Sequence, residues 1–151
     1  MVRYDQVVQQ MSLLPNFITY YEDELVQAKK ECKIHGSIEQ QVQYLPGITE
    51  HRFNQLQEVE ALLNYLNIQH RIVRQKHYKA YLEGYAKMLS SKDAQHYADA
   101  EPDVIDSDVL INEVALLRNK FLGVIKAIES KSFTLTNIVK LRAAGLEDIH
   151  L

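Results

Sequence analysis

Residues 74 to 87, RQKHYKAYLEGYAK, concentrate cationic and aromatic side chains in a chain that is acidic overall. The segment holds four fixed positive charges, one histidine and three tyrosines, whereas the whole chain carries a net charge of −3. Ammonium and guanidinium groups neutralise phosphates, and tyrosine and arginine planes stack on unpaired bases with little base preference. The segment therefore predicts sequence-tolerant binding of a single-stranded nucleic acid.

The cationic and aromatic side chains share one side of a predicted helix. At 100° per residue, the histidine, arginine and tyrosine positions between residues 70 and 88 span about one third of the helix circumference, and lysines flank them. The predicted single-stranded-DNA-binding residues are Arg71, Arg74, Lys76 and Lys79, on phosphates, and Tyr78, Tyr81 and Tyr85, as stacking platforms. A structural interpretation stays open, because tyrosines at helical spacing also pack in cores and basic residues keep long helices soluble.

Charge changes sign abruptly along the chain. Residues 70 to 92 carry +5, and residues 93 to 113 carry −7. A partner that touches the basic segment feels its local charge more than the total, because salt screens exposed charges over about 8 Å. The acidic segment offers the cations a competing role, which is pairing with carboxylates within a protomer or between protomers.

Apolar side chains recur every three or four residues, which predicts an all-α protein. Helices are expected at about 17–34, 49–91, 109–130 and 135–144, with a short helix between Ser37 and Pro46 and a loop, DAEPDVIDSD, around Pro102. The 49–91 helix would be about 60 Å long. Leu56, Val59, Leu63 and Leu66 give it the spacing of a coiled-coil seam.

The predicted architecture is a long-helix bundle with coiled-coil character that forms one domain. Its parts are an N-terminal helical segment (1–48), a long helix whose second half binds DNA (49–92) and a C-terminal oligomerisation segment (107–151). A broad apolar stripe in the last part consists of Leu110, Val114, Leu117, Phe121, Ile125 and Ile128. Such a stripe is wider than one neighbouring helix covers, which favours a homo-oligomer, with a monomeric bundle as the alternative.

The chain lacks the sequence patterns of an enzyme, and we predict no catalytic residue, no cofactor and no metal site. No phosphate-binding glycine loop or nucleophile elbow is present. Glu-x-x-His spacing, which bundle metal sites require on two helices, occurs only at Glu147 to His150. Cys32 is therefore interpreted as an unreactive helix thiol.

The composition indicates a protein of a reducing compartment. A single cysteine cannot form an intrachain disulfide. The N-terminus shows no secretory pattern, and no apolar run approaches the roughly 20 residues that span a bilayer. We expect a cytoplasmic protein with no membrane association.

Four features in a fixed order resemble the UvsY-type recombination mediators of T-even-like phages over about residues 58 to 145. They are KHYKAYLEGYAK, the acidic AEPDVIDSD, a strongly apolar helix and ESKSFTLTNIVKLRAAG. The residues that match the family's basic and aromatic segment are Lys76, Lys79, Tyr81, Leu82, Glu83 and Gly84, and those that match the junction of its closing helices are Lys131, Ser132, Phe133 and Leu135.

The resemblance implies a non-enzymatic accessory protein of DNA recombination. Such a protein binds single-stranded DNA and forms a ring of six or seven subunits through its C-terminal helices, which would include Phe133. It helps a RecA-like recombinase displace the single-strand-binding protein, in the host cytoplasm if the chain is phage-encoded. The alternative function is a helical oligomeric adaptor, assembly factor or inhibitor that binds another protein and no nucleic acid.

Overall fold

Helices make up nearly all of the described chain. A computed structural model describes residues 1–145, and within that range it contains no strand. The helices are α1 (Tyr4–Gln9), α2 (Leu14–Glu31), α3 (Ile38–Gly84), α4 (Ser91–Asp99) and α5 (Pro102–Ala143), with a 3-10 turn at Met11–Leu13. The predicted all-α, long-helix fold is thereby confirmed. No helix in residues 1–145 combines the length and apolarity needed to cross a bilayer.

The first predicted helix lies about three residues too far along the chain. α2 begins at Leu14, with Pro15 in its first turn, where the missing N–H of proline costs nothing. It ends at Glu31, and Gly36 takes a positive φ of 74° in the connection to α3. α1, which precedes it, was not predicted from the sequence.

The expected helix break at Pro46 is wrong, because α3 runs through it without interruption. Pro46 removes one backbone hydrogen bond from the helix interior. Ile38 and Leu45 on the same part of α3 are buried, and the Thr49 hydroxyl donates to the Leu45 carbonyl at 2.8 Å. Tertiary packing of this first stretch therefore outweighs the local cost of the proline.

The end of α3 and its seam also differ from prediction. The helix stops at Gly84 rather than near residue 91, at the residue type with the largest entropic cost in a helix. Leu56, Val59 and Leu66 are buried as expected, but Leu62 takes the place of Leu63 in the core. A helix with 3.6 residues per turn gradually rotates a seam of 3.5-residue spacing away from its partner, so a neighbouring residue takes the buried position.

The predicted acidic loop is mostly helical. Ser90 caps α4 by accepting a hydrogen bond from the Asp93 amide at 3.1 Å, and Pro102 is the first residue of α5. Asp103 lies in the first turn of α5, where a negative charge suits the helix dipole. Only Ala100 and Glu101 remain between the two helices. Asp103, which suggested a loop, instead lies in the first turn of a helix.

The predicted break between residues 130 and 135 is also wrong, because α5 continues to Ala143. The hydroxyls of Thr134 and Thr136 donate to carbonyls one turn earlier, those of Ser130 and Ser132, so they do not compete with the helix. Leu135 is buried on the same stretch. The burial of Leu135 and the hydrogen bonds of the two hydroxyls together keep this segment helical, although its composition suggested a junction between two helices.

Contacts divide the chain into two compact units. The first unit comprises Met1–Val59 and the residues from Leu117 onward, and the second comprises Glu60–Leu116. The core of the first unit includes Val7, Phe17, Tyr21, Leu25, Leu56, Val59, Phe121, Val124, Ile128 and Leu135. The core of the second unit includes Leu62, Leu66, Ala94, Ala98, Val104 and Val114.

A buried arginine organises the polar interior of the first unit. Arg52, which is 3% exposed, donates to both oxygens of Glu31 at 2.7 and 2.8 Å and to Glu24 Oε2 at 2.6 Å. Gln55 accepts from Arg52 at 2.7 Å and donates to Glu24 at 2.7 Å. Every group of this buried network has a partner, as burial of charge requires.

Candidate nucleic-acid interface

One side of α3 in the second unit contacts acidic and hydroxyl groups of α4, of the connection that follows it and of the first turns of α5. Arg74 meets Asp99, His77 meets Asp103, and Tyr81 meets Glu101. His70 Nε2 lies 3.3 Å from Asp108 Oδ1, and its Nδ1 lies 3.2 Å from the Ser107 hydroxyl. Much of the side predicted to face DNA therefore faces the protein's own carboxylates.

Arg74 and Asp99 form a bidentate pair on the rim of this contact. Arg74 Nε donates to Asp99 Oδ1, and Arg74 Nη2 donates to Oδ2 at 3.2 Å. The pair lowers the pKa of Asp99, chiefly through the hydrogen bond from the guanidinium, and raises the pKa of Arg74 through the same bond. The guanidinium predicted to bind phosphate is thus occupied in this conformation.

His77, Glu101 and Asp103 bring three metal-ligating groups together, with their ligand atoms within 4.8 Å of one another. His77 Nε2 lies 2.8 Å from both carboxylate oxygens of Asp103, and this contact lowers the pKa of Asp103. Glu101 accepts a hydrogen bond from the Tyr81 hydroxyl. These hydrogen bonds join α3 to the first turn of α5 and to Glu101, the residue that precedes it. The Glu147 to His150 pair lies outside the described residues.

The tyrosines have two different environments. The hydroxyls of Tyr78 and Ser91 lie 2.8 Å apart, and Glu101 raises the pKa of Tyr81 by accepting its hydrogen bond. Tyr85, in contrast, is 51% exposed and lies just beyond the end of α3. The structure therefore leaves Tyr85 the most open of the three predicted stacking residues.

Sequence reasoning missed a fourth tyrosine at this site. Tyr97 on α4 stacks on Tyr81 with ring centroids 5.4 Å apart and planes at 26°, and on Tyr85 at 6.2 Å and 23°. It lies in the acidic segment 93–113 but before the expected loop at 99–108, in a stretch for which no helix was predicted. The signal available in the sequence was helical spacing from the Ser90 cap, which places Tyr97 two turns into α4.

Three predicted cations remain accessible. Arg71, Lys76 and Lys79 are exposed, and none makes an ion pair or a side-chain hydrogen bond with another residue of the described chain. At 100° per residue, they and Tyr78 occupy a band of slightly less than half the helix circumference, and Tyr85 follows directly after the end of α3. The band combines positive charge with aromatic surface, the pair of properties that binds single strands.

The predicted oligomerisation residues divide into buried and exposed groups. Val114, Leu117, Phe121 and Ile128 are buried within their own protomer, and Leu110 and Ile125 are partly buried. Phe133 is 71% exposed. The stripe therefore serves intramolecular packing first, and Phe133 is the predicted residue with most surface left for a second copy.

Cys32 has the character of an unreactive thiol. Its sulfur lies 3.9 Å from the Val124 carbonyl oxygen, and burial raises its pKa. The neighbouring Lys131 is buried, donates to the Glu31 carbonyl at 2.7 Å and has a pKa lowered by burial. A raised pKa keeps the thiol protonated, and the protonated form is a poor nucleophile.

Comparison with solved structures shows a known fold. The chain is similar to the crystal structure of the bacteriophage T4 recombination mediator protein UvsY, with a TM-score of 0.70 and 18% sequence identity. The similarity covers 82% of this chain and 97% of that one. It confirms the UvsY-like fold that the resemblance implied. No protein-family model and no curated protein sequence matches the chain.

Proposed function

We propose that this chain is a non-enzymatic recombination mediator that binds single-stranded DNA. The observation that carries the proposal is the exposed band of α3, where Arg71, Lys76 and Lys79 make no ion pair with any of residues 1–145, together with the half-exposed Tyr85 directly after that helix. The UvsY-like fold supports it, because that protein is a recombination mediator. In this role the cations contact phosphates and the tyrosine rings contact unpaired bases.

Self-association belongs to the same proposal. Phe133 and Val139 expose apolar surface on α5, and an apolar groove of about 560 Å³ in the first unit is lined by α3 and α5 residues that include Leu45 and Leu135. A homo-oligomeric ring of six or seven copies would cover such surface. It would also join several modest DNA-binding bands, which raises avidity without any new contact.

The proposed partners follow from the mediator role. They are a RecA-like recombinase, which would be loaded on the strand, and the single-strand-binding protein that the recombinase must displace. A protein-binding adaptor remains the second candidate. It is favoured by the pairing of Arg74, His77 and Tyr81 with carboxylates of the same chain, because these three side chains are then not available to DNA. Binding of single-stranded oligonucleotide by the purified chain decides between the two.

The salt dependence of binding should reveal how many phosphates each protomer contacts. Three unpaired cations predict a slope of roughly −2 in log affinity against log salt for each engaged protomer on a single strand. Fluorescence anisotropy of a labelled oligonucleotide at several salt concentrations measures this slope. A slope near zero would remove the phosphate contacts from the proposal.

The variant Asp99→Asn should add a phosphate contact. Loss of the carboxylate charge weakens the bidentate pair and leaves the Arg74 guanidinium available to the strand. We expect the slope to steepen by about 0.7, the contribution of one further phosphate on a single strand. Asp5→Asn, which removes a half-exposed carboxylate that pairs with Arg3 at the start of α1, should leave the slope unchanged. An equal change in both variants would indicate an effect of net charge alone.

A further inference from the structure

Tyr97 on α4 forms an aromatic cluster of three rings with Tyr81 on α3 and with Tyr85. Its ring is nearly parallel to those of Tyr81 and Tyr85, at centroid distances of 5.4 and 6.2 Å, while Tyr81 and Tyr85 are 6.1 Å apart at 48°. Tyrosine rings at such distances attract one another, and they attract a further aromatic ring in the same way. The cluster therefore has the geometry of aromatic stacking, to which a further flat aromatic group can be added.

The outer part of the cluster is open to solvent. Tyr97 is 47% exposed and Tyr85 is 51% exposed, although burial of a tyrosine ring would contribute to stability. Neither hydroxyl makes a hydrogen bond with a described residue, whereas the Tyr81 hydroxyl is held by Glu101. The two rings thus present aromatic surface that packing within the protomer leaves uncovered.

Contacts at both ends of α4 hold Tyr97 in position. The Tyr78 and Ser91 hydroxyls lie 2.8 Å apart at the start of α4, and Arg74 is paired with Asp99 at its end. Ala94 and Ala98 are fully buried between these points. A ring on a helix fixed in this way loses little conformational freedom when a ligand stacks on it.

Negative charge near Tyr97 indicates that this residue contacts a different part of the strand from the cations of α3. Asp93 and Glu101 lie one turn to either side of it in the chain, and these two carboxylates disfavour a phosphate at Tyr97. The unpaired cations Arg71, Lys76 and Lys79 all lie on α3. A strand held by those cations would therefore bring a base, and not a phosphate, to Tyr97.

We infer that Tyr97, together with Tyr85, is a nucleobase-binding platform at the junction of α3 and α4. The inference rests on the proposed single-stranded-DNA function and assigns to that site a residue outside the basic segment. Its ligand is the exposed face of an unpaired base of any identity, since every base has a π-face. A duplex, whose bases are already stacked, is not a ligand of this platform.

The test compares Tyr97→Ala and Tyr97→Phe on two oligonucleotides of equal length, oligo-dT and an abasic strand with the same number of phosphates. Tyr97→Ala should weaken oligo-dT binding roughly 5- to 100-fold, the range for loss of one stacked base, whereas Tyr97→Phe should bind as the wild type does. Affinity for the abasic strand and the salt slope on oligo-dT should stay unchanged, because no phosphate contact is lost.

Two controls keep the outcomes distinct. Tyr97→Leu retains apolar bulk without an aromatic face and should lose affinity as Tyr97→Ala does, with helicity by circular dichroism equal to that of the wild type. Tyr44→Ala removes a tyrosine that is 63% exposed in the first unit and should have no effect. Unchanged oligo-dT binding by Tyr97→Ala overturns this inference alone, whereas failure of the wild type to bind either strand overturns the proposed function with it.

Discussion

Replacing Lys76 and Lys79 by glutamate should abolish retention of single-stranded DNA. The change removes two of the three unpaired cations on α3 and places negative charges where phosphates would lie. Each lost charge-assisted contact is worth about 1.5 kcal/mol or more, so the two together should weaken binding roughly 100-fold or more. Anisotropy of a labelled oligonucleotide at low salt measures the loss.

The matched control reverses two other exposed lysines. Lys29 and Lys30 on α2 carry the same charge, and neither makes an ion pair with a residue of the described chain. The double variant Lys29→Glu, Lys30→Glu should retain most of the binding, because it changes net charge equally but lies in the first unit. If both double variants lose DNA alike, the basic band has no special role. Sedimentation of each variant shows whether its assembly stays intact.

Replacing Arg52 by methionine should cause the largest loss of stability among single substitutions of polar residues in the first unit. The variant keeps apolar bulk but leaves Glu24 and Glu31 without their buried partner. Removal of one member of a buried ion pair costs about 3 to 5 kcal/mol, and we expect the lower end because both carboxylates keep about a quarter of their exposure. Urea unfolding followed by circular dichroism gives the difference in the free energy of unfolding.

Arg71→Met is the control for that substitution. Arg71 is exposed on the same helix and has no ion-pair partner in residues 1–145, so its replacement should change the free energy of unfolding by less than about 0.5 kcal/mol. The triple variant Arg52→Met, Glu24→Gln, Glu31→Gln should recover part of the loss, because no unpaired carboxylate remains. An Arg52→Met protein as stable as the wild type would show that the network contributes nothing.

The pH dependence of stability provides a further check on the Arg52 network. The pKa of Glu24 is lowered, chiefly by the hydrogen bond from Gln55 and also by Arg52. Because the folded pKa lies below the unfolded one, the Glu24 carboxylate stabilises the fold above about pH 4 and loses this effect as pH falls through the folded pKa. The stability difference between wild type and Arg52→Met should therefore narrow as pH falls below the unfolded pKa of about 4.5.

Helix character and the positions of several chemical groups could be predicted from the sequence. Apolar spacing of three and four residues indicated an all-α chain, and four of the predicted site residues, Arg71, Lys76, Lys79 and Tyr85, are exposed in the structure. These features depend on residues within one or two turns of each other, whose relation the helix period alone determines. The order of the motifs also led to the UvsY-like fold.

Helix ends were predicted less well, for a physical reason that Pro46 and the segment 130–135 illustrate. Both contain residues that disfavour a helix locally, and both lie in helices that continue. Burial of Leu45 and Leu135 against distant parts of the first unit supplies the free energy that local preference lacks. No window of neighbouring residues contains that information.

The sequence by itself determined that this protein is helical, that positive charge and tyrosines are concentrated on the second half of one long helix, and that acids follow them. Only the tertiary structure decided which of these groups are available. Folding α4 and the start of α5 onto α3 joins residues 12 to 38 positions apart. As a result, Arg74 meets Asp99 while Lys79 stays open, and Tyr97 joins a cluster that its own segment did not indicate. Pairing across such separations depends on how the helices pack against one another. Packing depends on the whole surface that each helix buries, whereas the helix period relates only residues that are near in sequence.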